Sequence, residues 1–229
     1  MKIIDFAQTI NTRDMGGYTS ADGKTIKPFR FIRSDALNHL SNSEIDYLLS
    51  NGVSTSIDLR TPRIASKYQS SLKNDIRFAY SNIPLYEGSD IPLDEEKVPE
   101  LYMAMLANYG TFKAIFDTMV STDSGVVYNC SAGKDRTGMV SFLLLEFAKV
   151  PRDVIAEDYA LSSILKDQKI EQVRLLNPDF PSFSGESKKE YIERLFVLFD
   201  KTYGSIERYF DIIGFDAGSQ DALRAKLFE

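Results

Sequence analysis

Seven consecutive positions, Cys130-Ser131-Ala132-Gly133-Lys134-Asp135-Arg136, bring a thiol, an ammonium, a carboxyl and a guanidinium together among small residues; Thr137 and Gly138 follow directly. Cysteine attacks as its thiolate, and a helix N-terminus or a nearby cation favours that form. A loop of small residues can turn its backbone N–H groups toward one centre. A helix that starts there adds about half a positive charge. The result is an anion cradle whose tightness suits a phosphate. Arg136 closes the loop and offers a planar fork to two phosphate oxygens. The hydroxyl of Thr137 is placed to donate to the sulfur. Gly133 and Gly138 permit the turn and a close approach of backbone to ligand. A lone cysteine is otherwise an ordinary small buried residue; the spacing of Gly133, Arg136, Thr137 and Gly138 around it argues for chemistry instead.

The flanking residues must position this loop. Residues 126–128 are β-branched and aromatic after Gly125, as in a buried strand. Residues 139–150 are apolar on nearly every side, as in a buried helix. Earlier in the chain, residues 3–6, 29–33, 53–59 and 76–85 read as strands. Asp22-Gly23 marks a hairpin turn over residues 18–27. Ser41 and Glu44 form a capping box opening a helix that stops before Gly52. Thr61-Pro62 starts another helix, with proline at its first position. Residues 101–120 are helical with a break near Asn108-Tyr109-Gly110. After Pro151, residues 153–165, 166–176 and 187–201 read as three helices, the last with a capping box at Ser187 and Glu190. Strands alternating with helices indicate an α/β fold: a central, mostly parallel sheet flanked by helices, with a helical C-terminal extension. Ligands bind such sheets at the C-terminal ends of strands, where Cys130 falls.

The string Cys-Ser-Ala-Gly-Lys-Asp-Arg-Thr-Gly resembles the signature loop of the cysteine-dependent protein tyrosine phosphatase superfamily. Within it, the chain is similar to the bacterial tyrosine/serine phosphatases that also act on phosphoinositides. Asn11-Thr-Arg13-Asp14-Met-Gly16-Gly17-Tyr18, then Phe31-Ile-Arg33-Ser34 with Leu37, then Asp58-Leu59-Arg60 carry the same likeness through the N-terminal half. The resemblance covers most of the chain and implies a tyrosine-phosphatase-like fold over residues 1–229 as one domain, with residues 151–201 as a helical lid insertion. It implies a cysteinyl-phosphate on Cys130, stabilised by Arg136 and by the N–H groups of a loop running through Ser131, Ala132, Gly133, Lys134, Thr137 and Gly138. It implies phosphotyrosine substrates, with phosphoinositide and phosphoserine as further classes. Asp135 is the first choice of proton donor; Asp90, Asp94 and Asp58 are the alternatives, since many tyrosine phosphatases draw the acid from elsewhere. Lys134 adds charge suited to a multiply phosphorylated ring. Phe180, Phe183 and Tyr191 are the aromatic residues of the proposed lid; ordinary packing of a helical subdomain is the competing reading. One position departs from the family pattern. Asn129 stands where a histidine usually precedes the nucleophile, and asparagine can shape the loop but carries no positive charge.

The rest of the composition narrows the classes. A chain of 229 residues needs no disulfide or metal to fold, since it buries about 70% of its extended surface. One cysteine excludes an internal disulfide, and one histidine with it excludes the usual zinc clusters. His39 reads as a turn residue, and no Gly-x-Ser-x-Gly elbow is present. Lys134 is followed by Asp135 rather than Ser or Thr, which excludes a nucleotide-binding P-loop. No cofactor is called for. A net charge of −6 argues against nonspecific nucleic-acid binding. No apolar run is long enough for membrane insertion, and the N-terminal residues lack a signal-peptide core, so a cytoplasmic location is expected. The sequence leaves oligomeric state open. Two other readings compete: a phosphate-binding module without turnover, suggested by Asn129, and a sulfur transferase, which Arg136-Thr137 argues against.

Overall fold

Strand β6 (Gly125–Asn129) lies at the middle of a six-stranded sheet and delivers Cys130 at its end. The computed structural model describes residues 2–86, 94–176, 183 and 185–228, with the backbone alone over 166–176. Parallel to β6 on either side run β3 (Phe31–Ser34) and β4 (Val53–Asp58); β5 (Ala79–Asn82) pairs in parallel beyond β4. Two short strands, β1 (Lys2–Ile3) and β2 (Arg13–Asp14), add antiparallel at the β3 edge. The mostly parallel sheet is therefore as expected. Strand β5 is shorter than the 76–85 run because Asp75 folds the chain into a turn, with its carbonyl accepting from Phe78 N–H at 3.0 Å. Ile76 is left exposed there.

Successive side chains on a strand face opposite ways, and the two cores follow that rule. Phe31, Val126, Tyr128 and Cys130 face the larger core; Ile32 and Val127 face the smaller one, under α1 (Asn42–Ser50). Helix α1 opens on the expected capping box: Ser41 Oγ accepts from Glu44 N–H, and the Glu44 carboxylate accepts from Ser41 N–H. Helix α2 (Pro62–Lys67) starts on Pro62 as expected. Helices α3 (Val98–Leu106) and α4 (Tyr109–Val120) are separated at Asn108, whose amide donates to the Met105 carbonyl at 2.8 Å. Helix α5 (Asp135–Phe147) follows the cysteine loop and is buried from Thr137 to Leu145, which explains why it is apolar on nearly every side.

The C-terminal helices depart from expectation in two places. Residues 153–165 and 166–176 form one helix, α6 (Arg152–Leu176), since neither glycine nor proline interrupts them. Helix α7 (Lys189–Tyr203) begins without the Ser187–Glu190 box: Lys188 occupies the cap, and Ser187 Oγ instead accepts from Ser163 N–H at 2.8 Å on α6. Helices α8 (Ile206–Ile212) and α9 (Ala217–Phe228) complete the large core, in which Phe116, Phe142, Phe199, Tyr209, Phe210 and Phe215 meet edge to face or tilted. Tyr191 is buried in that core with its hydroxyl on Glu95 at 2.7 Å, and Phe183 packs partly buried against it. Both fit ordinary packing of the helical subdomain; Phe180 lies outside the described residues. Among the described residues no helix is long and apolar enough to cross a membrane.

Candidate active site

Cys130 is 1% exposed and leaves β6 straight into the loop. Its sulfur accepts from Gly133 N–H at 3.2 Å. The loop carbonyls point the other way. Asn11 Nδ2 donates to the carbonyls of Ala132 and Gly133 at 3.0 and 2.9 Å, and Arg33 donates to that of Gly133 at 2.9 Å. In a trans peptide N–H and C=O point in opposite directions. Fixing those two carbonyls therefore turns the N–H groups of Gly133 and Lys134 the opposite way, and that of Gly133 meets the sulfur. Gly133 has φ +64, and a Cβ there would lie 2.7 Å from Asp35 N and 2.8 Å from Ser34 C and O. Only glycine fits. Gly138 differs from expectation: the nearest atom to a Cβ there is Tyr159 Cδ2 at 3.6 Å, inside α5. It serves helix packing rather than ligand approach.

A buried ion cluster holds Arg33. The Asp158 carboxylate, from α6, takes Arg13 Nε at 2.8 Å on one oxygen and the Arg33 guanidinium on the other, and Tyr18 donates to it at 2.9 Å. Burial alone would raise the proton affinity of Asp158; the two guanidinium charges and these hydrogen bonds overcome it and hold the carboxyl well below its usual range. Asp35 anchors the other end of the latch by accepting from the N–H of Ile10 and Asn11, at 3.1 Å for the latter.

Asp135 opens α5, and its Oδ1 accepts from the Tyr102 hydroxyl at 2.6 Å. Lys134 Nζ lies 3.2 Å from the same oxygen and donates to the Glu186 carbonyl at 2.8 Å. Lys134 is buried. Arg136 donates to Ser131 Oγ at 3.4 Å, across the loop it was expected to close. Thr137 departs from expectation, because its hydroxyl lies 3.5 Å from the Ser34 carbonyl and is directed there instead of to the sulfur. Asn129 Nδ2 donates to the Cys130 carbonyl at 3.3 Å; its Oδ1 is buried and has no hydrogen-bond partner among the described residues.

Two of the alternative acids are engaged elsewhere. Asp58 is fully buried, gripped by Arg60 at 2.7 Å and by the Tyr80 hydroxyl at 2.9 Å. Asp94 caps a short 3₁₀ turn by accepting from Glu96 N–H at 3.0 Å. Asp90 lies outside the described residues. His39 is exposed at a bend. No group of three His, Cys, Asp or Glu side chains among the described residues could hold a metal ion.

In the sequence, Asn11, Arg13 and Arg33 stand out only as carriers of the family likeness, and Tyr102, Tyr159 and Asp158 do not stand out at all. No spacing rule joins these residues to Cys130. The one local signal was an aspartate at helical spacing from Ile155, on the side of α6 that also buries Ala156, Tyr159 and Ser162.

An inward-facing nest, a buried thiol at its centre and an arginine across its mouth, mounted on a central parallel strand, define a cysteine-loop phosphatase architecture. The chain belongs to the tyrosine phosphatase family, whose pattern matches residues 4–229. It is 33% identical over 141 residues to a tyrosine-protein phosphatase of Nostoc commune, covering 58% of this chain and 48% of that one. It is 27% identical over 219 residues to a putative tyrosine-protein phosphatase of Cupriavidus necator, covering 87% and 79%. It is 30% identical over 127 residues to the triple specificity protein phosphatase PtpB of Mycobacterium tuberculosis, covering 48% and 46%. The chain thus spans about half the length of the Nostoc and mycobacterial relatives it matches. Among solved structures, P. aeruginosa TpbA aligns with a TM-score of 0.36 and 11% identity, over 63% of this chain and 78% of that one.

Proposed function

We propose that the protein hydrolyses phosphate monoesters through a cysteinyl-phosphate on Cys130. The Cys130 thiolate attacks phosphorus in line, the bond to the ester oxygen breaks, and the Asp135 carboxyl gives that oxygen its proton. Water then attacks the cysteinyl-phosphate, its proton passes to Asp135, and the thiolate leaves. Charge on the equatorial oxygens is met by the loop N–H groups and by the Arg136 guanidinium. The N–H groups of Ser131, Ala132, Gly133, Lys134 and Thr137 are the proposed phosphate ligands, and no metal takes part; the N–H of Gly138 instead donates within α5 to the Lys134 carbonyl at 2.7 Å. The observation that carries this reading is the inward Gly133 N–H on Cys130 Sγ, in the loop that ends at the N-terminus of α5.

The test is phosphate release from p-nitrophenyl phosphate in excess chelator, with Cys130→Ser as the comparison. Turnover that survives the chelator and vanishes in the variant supports the reading. Phosphate binding without turnover at any acid to neutral pH would favour a binding module, and Asn129→His is the variant to make next.

Phosphotyrosine is the proposed first substrate, with phosphoinositides and phosphoserine after it. The mycobacterial relative is named a triple specificity phosphatase, and the breadth proposed here leans on that likeness. Lys134 is the residue proposed to favour lipid headgroups. Its amine is already tied to the Glu186 carbonyl and beside Asp135, so it must exchange those partners to meet a second phosphate. An unchanged ratio of phosphoinositide to phosphopeptide turnover in Lys134→Ala would overturn that assignment.

A further inference from the structure

We propose that Tyr102 and Tyr159 are positioning residues for Asp135: a relay of two buried hydroxyls that orients the carboxyl and stabilises its ionised form. The proposal rests on the reading of Asp135 as the proton donor. Three helices converge to build the relay. Tyr102 comes from α3, Tyr159 from α6, and Asp135 is the first residue of α5. Tyr102 is fully buried and Tyr159 nearly so. The Tyr102 hydroxyl lies 2.6 Å from Asp135 Oδ1 and 2.5 Å from the Tyr159 hydroxyl. The rings meet edge to face, with centroids 6.0 Å apart and planes at 77°.

Proton counting sets the direction of the relay. A carboxylate accepts only, and each hydroxyl has one proton. The Tyr102 proton therefore goes to Asp135, and Tyr102 takes the Tyr159 proton on its oxygen. Burial, followed by the charge of Asp135, pushes both phenols well above their ordinary range. Both stay neutral donors wherever the enzyme would work. Among the described residues, the other charged and titratable groups facing this relay include Lys134 beside Asp135, Arg33 on β3 and Tyr191 on α7. Burial of the two phenols strengthens their hydrogen bonds and makes an unmet hydroxyl costly. Two phenols aimed in series at one carboxyl are thus more than packing: they fix where Asp135 sits and which of its protonation states is favoured.

Loss of the Tyr102 donor removes a hydrogen bond to a charged group, which shifts the carboxyl upward by about one pH unit. A less acidic donor also transfers its proton less readily to a departing oxygen. In Tyr102→Phe, the alkaline limb of the kcat profile should move up by that unit. Turnover should fall further for phenyl phosphate, a poor leaving group, than for p-nitrophenyl phosphate. Tyr102→Phe added to Asp135→Asn should cost nothing more, because the two act as one unit. Tyr159→Phe keeps the direct bond to Asp135 and should give the same shift at smaller size; it serves if Tyr102→Phe fails to fold. Asp135→Asn alone separates the two layers of argument. If that variant keeps the alkaline limb, Asp135 is not the donor and both readings fall. If it loses the limb while the two phenylalanine variants leave the limb in place, the positioning role alone is overturned.

Discussion

Asn11 and Gly133, 122 positions apart, are joined by a 2.9 Å hydrogen bond from the side-chain amide to the backbone carbonyl. The same amide reaches the Ala132 carbonyl at 3.0 Å. This pair of bonds, with Arg33, determines which way the peptides after Cys130 face. Asn11→Ala leaves the Ala132 carbonyl without that donor, while Arg33 still holds Gly133. The expected cost is about 1–3 kcal/mol of folding stability, together with weaker binding of phosphate or vanadate. Denaturant unfolding and oxyanion titration check it. Unchanged oxyanion affinity would show that the latch does not set the loop.

Two glycines of the loop should respond in opposite senses. Gly133→Ala forces a Cβ to within 2.7 Å of Asp35 N at φ +64, so the backbone must shift. Oxyanion affinity should drop at least about tenfold, since the inward N–H groups are lost with that backbone. Gly138→Ala meets nothing closer than 3.6 Å. It should fold normally and gain up to about 1 kcal/mol, the helix advantage of alanine over glycine. Equal tolerance at both sites would contradict the geometry.

What could be read from the sequence was local. Cys130 to Gly138 carries its strand, loop and helix within a few residues of one another. The Ser41–Glu44 box and Pro62 likewise declare themselves over a single turn. Whatever depends on tertiary approach was hidden. Ser187 has the spacing of a cap but is claimed by Ser163, across 24 positions. Thr137 sits next to Arg136 yet is drawn to Ser34, 103 positions away. The phenol of Tyr102 reaches Asp135 from a different helix. In each case a distant partner overrides a local preference, and no periodicity records which partner that will be.

Lys226 supplies a test at alkaline pH. Its amine donates to the carbonyls of Met119 and Thr122 at 2.7 and 2.6 Å. Burial, and Arg30 close by, bring its pKa down to about 8. An unfolded lysine titrates near 10.4. Between about pH 8 and 10.4 the unfolded chain therefore binds more protons at this site, and stability rises with pH there. Lys226→Gln should flatten that rise relative to the native protein. Parallel stability curves for the two between pH 7.5 and 9.5 would show that Lys226 keeps an ordinary affinity for its proton.

Asp158 gives the opposite case, at acid pH. Its folded proton affinity is depressed, with the charges of Arg13 and Arg33 outweighing burial. Its stabilisation is complete above the unfolded carboxyl value of about 3.9 and is lost as pH falls below it. From this one group the slope is about 1.4 kcal/mol per pH unit. Asp158→Asn should remove that slope. It should also destabilise the protein by about 3–5 kcal/mol at neutral pH, because two buried guanidinium groups lose their counter-charge. Arg33 would then no longer be held against the Gly133 carbonyl, so oxyanion affinity should fall with stability. Urea unfolding of both proteins from pH 3 to 7 reads the first two effects, and oxyanion titration at neutral pH reads the third. A variant with the native acid slope and native oxyanion affinity would mean that the ion cluster neither anchors the fold nor orients the cysteine loop.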